Sequence, residues 1–282
     1  MRLAVVVDNR AQPPLHPQPA FAVWVEDEAG QAVLFDTGGS GEVLLHNLRV
    51  LGLDPRRLSA LAISHAHADH TGGLAALLPL LPAGTPLYAH PTLFRPRYSD
   101  HGRGPDPVGM RLSREEVARR LTLHLSREPQ EILPGVWTSG EIAERPFPEG
   151  RSARHFIRTE AGFVPDPYED DMALVLRWGE GLFLLCGCCH AGLLNTMRHV
   201  EAHWARPILG AGGGTHLINA SAEQIAATVE ALRSREALRF LWTGHCSGRM
   251  FEEAVAQAMP GRWFPMAAGA RLTLTEQGAF FT

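Results

Sequence analysis

Ser64-His65-Ala66-His67-Ala68-Asp69-His70-Thr71-Gly72-Gly73 follows directly on the apolar run Leu61-Ala62-Ile63 and packs three imidazoles and a carboxylate into six positions. Such a run reads as a buried strand, and His65 and His67, two residues apart at its end, project to the same side within reach of one cation. Asp69 and His70 follow on the turn, where they face a second cation. Thr71-Gly72-Gly73 permits a tight turn into an apolar helix beginning near Leu74, whose positive end lies beside the carboxylate and any anionic substrate. Neutral imidazole nitrogens with one hard carboxylate oxygen suit zinc and tolerate manganese or iron. A lone histidine is usually a satisfied core or surface residue. The H-x-H-x-D-H spacing between an apolar strand and a glycine turn is instead what a metal motif requires.

Working outward, 282 residues with 45% hydrophobic content supply a real core, and no linker breaks the chain, so one domain over residues 1–282 is expected. A net charge of −4 with mixed signs gives no case for nucleic acid or an anionic membrane. No window approaches a membrane span, and the apolar start of the chain stops at Asp8 with no small-residue cleavage site after it, which reads as a first strand rather than a signal peptide. All 26 basic residues are Arg, which excludes a catalytic or Schiff-base lysine. Of four Cys, three lie within residues 186–189; without a secretory signal they read as reduced thiols of a cytoplasmic protein.

The first half reads as strands at residues 3–8, 21–26 and 31–36, a helix at 41–51, an apolar helix at 74–81 and a strand at 86–90. The proline-rich stretch Gln12-Pro13-Pro14-Leu15-His16-Pro17-Gln18-Pro19 can be neither helix nor central strand, and His16 is a candidate for the entrance of a site or a plain surface residue. Residues 91–109 read as a long irregular loop whose Arg95, Arg97, His101 and Arg103 either hold a substrate phosphate or carboxylate or are simply solvated. The second half repeats the plan. Strands are expected at 121–125, 135–139, 172–178, 182–187, 206–210, 238–243 and 270–275, with helices at 193–204 and 223–234. Two continuously apolar strands deliver Gly187-Cys188-Cys189-His190 and Gly244-His245-Cys246 to a sheet edge, as strands buried on both faces should.

The H-x-H-x-D-H run resembles the signature of the metallo-β-lactamase superfamily. Val7-Asp8-Asn9, Leu34-Phe35-Asp36-Thr37-Gly38, Gly187-Cys188-Cys189-His190-Ala191-Gly192, Gly213-Gly214-Thr215-His216-Leu217 and Gly244-His245-Cys246-Ser247-Gly248 narrow the resemblance to the branch that includes the archaeal dihydropterin-methyl-aminobenzene-ribofuranosyl phosphate synthase. The resemblance covers nearly the whole chain and implies an α+β fold, a four-layer αββα sandwich of two similar halves. It implies two divalent transition-metal ions, zinc before manganese or iron, with His65, His67, Asp69, His70 and His245 as ligands, and His190 is our choice for the histidine shared with the first motif's metals. An aspartate at the Asp36 position commonly holds a metal-binding histidine in this superfamily; a turn-forming Asp is the plainer alternative.

The reaction implied is hydrolysis by a metal-bound hydroxide of a small, anionic or phosphorylated substrate, with Asp69 orienting the nucleophile and His216 protonating the leaving group or steadying negative charge. A condensation of a pterin precursor with an aminobenzene ribofuranosyl phosphate is the alternative. A non-catalytic metal-binding protein is a third, weakened because a structural zinc site is more often closed by tightly placed ligands. The chain departs from the commoner superfamily pattern where a histidine upstream and a Gly-Asp pair supply ligands: here Gly187-Cys188 stands, and Tyr168-Glu169-Asp170-Asp171-Met172 holds no His. His190, Cys188 and Asp171 compete for that vacancy. His190 is preferred, because a Cys after a buried strand commonly behaves as an inert small hydrophobe. Oligomeric state is not legible.

Overall fold

A computed structural model describes residues 1–148 and 150–282. Strands such as Arg2–Val7 and Gly181–Cys186 are apolar at almost every position, so both faces of each must be covered. The alternation of side chains across the strand divides them: Leu3 and Val5 enter one core while Ala4 and Val6 enter another.

Three apolar layers result. Leu3, Val5, Phe35, Phe183, Leu185 and Trp242 pack between two large sheets. Val6, Leu34, Leu44, Leu48 and Leu74 lie between the first sheet and the helices Gly41–Leu51 and Leu74–Leu77. Leu184, Met197, Val200, Leu241 and Phe251 fill the space under Leu193–Trp204, Ala222–Arg233 and Arg249–Ala258. The architecture is the α+β, four-layer αββα sandwich expected.

The first sheet runs, in spatial order, Gly278–Phe281, Arg271–Thr275, Arg2–Val7, Ala22–Glu26, Ala32–Phe35, Leu58–Ala62, Thr85–Ala89, Leu121–Leu125. The second runs Trp263–Pro265, Phe240–Thr243, Ile208–Gly213, Gly181–Cys186, Ala173–Trp178, Val136–Thr138, Glu131–Leu133. Leu58–Ala62 is parallel to both its neighbours, and Gly181–Cys186, Ile208–Gly213 and Phe240–Thr243 are parallel to one another. Their carboxyl ends therefore gather along one edge, where ligand-binding groups of open α/β sheets collect.

Several elements differ from expectation. The helix over 74–81 is broken: an α-turn, Leu74–Leu77, passes into a 3-10 turn, Leu78–Leu80, at Pro79, whose missing N–H cannot continue the ladder. The strand Ile208–Gly213 runs three residues further than expected through Gly210-Ala211-Gly212-Gly213. Those glycines are packing residues, since a Cβ on Gly210 would stand 2.8 Å from Phe240 Cζ. Residues 91–109 are not one irregular loop. Arg97–Asp100 and Pro105–Pro107 join His155–Thr159 and Gly162–Pro165 in a four-stranded antiparallel sheet, and the helix Arg249–Ala258 had no counterpart in the sequence reading. Among the described residues no helix is long and apolar enough to cross a membrane.

Candidate metal centre

Parallel pairing puts Asp36 beside the start of the histidine run. Phe35 is in register with Ala62, and the next residues close a hydrogen-bond lock: Asp36 Oδ1 accepts from the Ser64 backbone N–H at 2.7 Å, and its Oδ2 accepts from Ser64 Oγ at 2.7 Å and His70 Nδ1 at 2.7 Å. His65 Nδ1 lies 2.9 Å from Ser64 Oγ. With Asp36 taking the hydroxyl proton, Ser64 Oγ accepts from His65, so the neutral form of each imidazole carries its proton on Nδ1 and turns Nε2 out as the ligand atom. From the other sheet, Gly187 approaches so closely that a Cβ on it would meet Ser64 Oγ at 2.2 Å. His245 is positioned by the end of the first strand, its backbone N–H donating to Asp8 Oδ2 at 2.8 Å and its Nδ1 lying 3.0 Å from Asn9 Oδ1.

Two groups of ligand-capable atoms form, with the atoms of each within 4.8 Å of one another: His65, His67 and His190; and Asp69, His70, Cys188 and His245. A third, Cys188, His190 and His216, overlaps both. In the first, His65 Nε2 and His67 Nδ1 stand 3.0 Å apart, and His190, whose Nδ1 contacts the Gly150 carbonyl at 3.0 Å, turns Nε2 inward, buried and without a hydrogen-bond partner among the described residues. In the second, Cys188 Sγ lies 3.2 Å from both His70 Nε2 and His245 Nε2. Converging imidazole nitrogens, a thiol and a carboxylate, with a buried nitrogen left orphaned, fit divalent transition-metal ions and fit little else.

The electrostatics agree. Burial first, then neighbouring imidazoles, hold His65, His67 and His190 well below the ordinary histidine range, and burial with His70 nearby takes His245 down to about 3. His70 is the exception: burial lowers it, but Asp69 and Asp36 outweigh burial and raise it. Asp69 mirrors this, with burial opposing and His70, His245 and His67 prevailing to lower it. Burial, with Cys246 alongside, pushes the Cys188 thiol up, a direction that a cation in the group reverses. Strain also concentrates here, since Asp36, Tyr168, Cys189, His216 and His245 all have positive φ without being glycine.

Both groups border a cavity of about 430 Å³, lined by His67, Asp69, His190, His216 and His245 and also by Ser99, His101, Arg111 and His155. The His216 ring lies 4.2 Å from that of His190, tilted at 50°, and His216 is lowered to about 4, by burial first and His155 second. Asp171 joins no ligand group; its Oδ2 accepts from the Ala191 N–H at 2.8 Å and so braces the loop that carries His190. His190 falls in the first group and Cys188 in the second, and the third group holds both. Cys188, expected to be an inert packing residue, is correspondingly placed among ligand atoms. Asp69 and His70 sit within a helical turn, Ala68–Thr71, that begins earlier than expected. His16 is exposed, stacked on His46 at 3.8 Å, and does not border the cavity. Arg97 is no substrate arm: it is buried against Asp166 at 3.1 Å and Asp170 at 2.7 Å. His155 and Tyr168 escaped the sequence reading, since neither stands in a recognisable motif.

The sequence matches the family model described as the metallo-beta-lactamase superfamily over residues 16–245. Among curated proteins it is 29% identical over 238 residues, 81% of this chain and 80% of the relative, to the 7,8-dihydropterin-6-methyl-4-(beta-D-ribofuranosyl)-aminobenzene-5'-phosphate synthase of Methanocaldococcus jannaschii. Among solved structures it is similar to a metal-dependent hydrolase of the beta-lactamase superfamily, with a TM-score of 0.84 and 28% identity, covering 98% of this chain and 99% of the other. It is also similar in fold to zinc-bound PqqB from Methylobacterium extorquens, with a TM-score of 0.61 and 11% identity over 97% of this chain and 100% of the other.

Proposed function

The chain belongs to the metallo-β-lactamase superfamily, and from that premise we propose that it is a cytoplasmic, metal-dependent hydrolase of a small, anionic molecule, holding two divalent transition-metal ions. The observation that carries this is the pair of ligand groups lying side by side beneath one cavity of about 430 Å³, a size suited to a small molecule rather than a polymer. His65, His67 and His190 would hold one ion, and Asp69, His70, Cys188 and His245 the other. A thiolate in the second group favours zinc over manganese or iron.

Ions held there supply Lewis acidity, which brings the pKa of water toward neutrality and polarises a carbonyl or phosphoryl oxygen. The protein's own residues do the rest. Asp36 and Ser64 take the Nδ1 protons of His70 and His65 and so aim the Nε2 atoms as ligands. Asp69, with 37% of its side chain exposed, reaches the cavity and is the carboxylate able to accept a proton from a water there and orient it. His216 also borders the cavity and is the candidate to stabilise or protonate the departing group.

A second reading is a condensation of the synthase kind, favoured by the likeness of 29% over 81% of this chain to a protein of that name. A purely structural metal protein is disfavoured by the cavity that opens onto both groups. The test is metal analysis of protein purified without added metal, followed by turnover on phosphodiesters, lactones, thioesters and phosphorylated pterins. Hydrolysis of one of the substrates, abolished by chelation, is expected. Condensation without hydrolysis would favour the synthase, and a protein that never holds more than trace metal, even after reconstitution, would overturn both.

A further inference from the structure

Tyr168 adopts φ +50, a strained value for a non-glycine residue, and is 1% exposed. Its ring stacks on His190 at 4.2 Å and 17°. Its hydroxyl accepts from the Ser152 backbone N–H at 3.2 Å and lies 2.8 Å from His155 Nδ1. A phenol buried this deeply has one proton to donate, and among the described residues His155 Nδ1 is the acceptor it contacts. Were Nδ1 itself protonated, the hydroxyl would receive two donors while its own proton went without a partner, which buried hydroxyls avoid. The hydrogen-bond count therefore assigns His155 the tautomer with the proton on Nε2.

His155 borders the cavity with its ring 4.6 Å from that of His67, yet it belongs to none of the ligand groups. Among the described residues its Nε2 has no hydrogen-bond partner. His101, which also borders the cavity, is engaged, with Nε2 on Ser99 Oγ at 3.2 Å and Nδ1 on Arg154 at 3.1 Å; Arg95 and Arg97 lie outside its lining, Arg95 paired with Glu169 at 2.6 Å and Arg97 buried with Asp166 and Asp170. Arg111 borders the cavity too, and among the described residues its guanidinium has no ion pair. Asp69 is the one carboxylate among the bordering residues. Among the described residues the lining thus presents one fixed N–H donor and one positive charge without an ion pair, which is chemistry for an anion.

We propose that His155, held by Tyr168 as an Nε2–H donor, is a catalytic residue that hydrogen-bonds an anionic phosphoryl or carboxyl oxygen of the substrate, with Arg111 drawing that anion to the cavity. This rests on the cavity being the substrate site. Tyr168 is then a positioning residue, acting through His155. A donor whose tautomer is set before binding needs no reorganisation when negative charge gathers on the oxygen.

Nitrogen-15 spectra of the histidine side chains, taken on the full chain as purified at pH 7.5 with His155 assigned through His155→Phe, read the tautomer directly. A protonated Nε2 and bare Nδ1 are expected, and Tyr168→Phe should mix the two tautomers while circular dichroism stays unchanged. Inorganic phosphate and acetate, titrated separately, distinguish a phosphoryl from a carboxyl preference. With the preferred anion, His155→Phe should weaken binding about tenfold or more, and His155→Gln, whose amide still donates, should recover most of the loss. Arg111→Ala should weaken binding at low salt and lose its effect at high salt, as an exposed charge does. A proton on Nδ1, a doubly protonated ring, equal affinity of His155→Phe and wild type, or no binding of either anion by wild type would each overturn the proposal. None of these measurements needs turnover, so a failure of the hydrolase reading is told apart from a failure of this one.

Discussion

Asp36→Asn separates the orientation of a ligand from its identity, because Asp36 touches no cation-binding group except through His70 and Ser64. The substitution preserves volume, and asparagine tolerates the φ of +61 found there better than most residues. What changes is the donor count. Three donors converge on the carboxylate, each at 2.7 Å: Ser64 N–H, Ser64 O–H and His70 Nδ1–H. An amide can accept only through its oxygen. If that oxygen faces Ser64 N–H, the amide N–H₂ points at His70 Nδ1, which must then accept, and the ring proton moves to Nε2, the atom 3.2 Å from Cys188 Sγ. If the amide flips, its N–H₂ opposes the Ser64 backbone N–H in a fully buried site. Either arrangement weakens His70 as a ligand or strains the fold. Loss of such a supporting partner typically costs about 10- to 100-fold in metal affinity, which is ~1.4–2.7 kcal/mol, and the buried mismatch costs about 1–3 kcal/mol of folding stability. Competition with a chromophoric chelator should resolve a weakened ion at the Asp69, His70, Cys188 and His245 group and a lesser change at the other. An Asp36→Asn protein with both affinities and its melting temperature at wild-type values would refute the lock.

Further outcomes follow from the same geometry. Cys188→Ser and His190→Ala should each lose one ion per chain by elemental analysis, from different groups; loss of both ions from one variant and none from the other would show a single shared site. Asp69→Asn should lower turnover by roughly two orders of magnitude or more on any substrate found, and near-wild-type turnover would remove Asp69 from the chemistry. Arg97→Met leaves Asp166 and Asp170 buried without their cation and should cost about 3–5 kcal/mol in urea unfolding, with a shift under ~1 kcal/mol counting against the pair. In the metal-free chain, His65, His67, His190, His216 and His245 all sit below the ordinary histidine value, so unfolding takes up protons below about pH 6.5 and stability present above that pH is lost as pH falls, His216 alone accounting for about 3 kcal/mol by pH 4. Asp8 and Asp171, raised by burial to about 6, Asp166, also raised by burial, and His70, raised against burial by Asp69 and Asp36, act in the opposite sense but are outnumbered, so a urea midpoint that rises between pH 7 and 5 would contradict the balance.

The sandwich was legible because its strands are buried on both faces and therefore written as continuous apolar runs, and because helices such as Gly41–Leu51 carry their own boundaries: Ser40 accepts from Val43 N–H, and Gly52 closes the end at φ 71. The small third sheet was not legible. Arg97-Tyr98-Ser99-Asp100 has no apolar alternation, and what makes it a strand is pairing with His155–Thr159, more than fifty residues away, together with the buried ion pairs of Arg97. The histidine run stood out because its members are near neighbours. Cys188 and His190 have the same spacing as His65 and His67 at an equivalent strand end, so the signal for Cys188 was present. It was outweighed by the frequency with which a cysteine beside a buried strand is only packing.

Arg97 also shows why a motif of so few residues needs so much of the chain. Its partner Asp170 pairs with the guanidinium through Oδ1 at 2.7 Å and accepts from the Ala66 backbone N–H through Oδ2 at 2.9 Å. Ala66 lies between His65 and His67, so the third sheet, through one arginine and one aspartate, sets the backbone between two converging imidazoles. On the opposite side Asp171, the next residue, braces Ala191 beside His190. The segment Tyr168-Glu169-Asp170-Asp171, which contributes no atom to any ligand group, thus grips both sides of the first group at once and holds His155 through Tyr168. That group is over-determined from outside, as a set of closely packed, buried imidazoles with converging nitrogens must be if it is to stay assembled before any cation arrives.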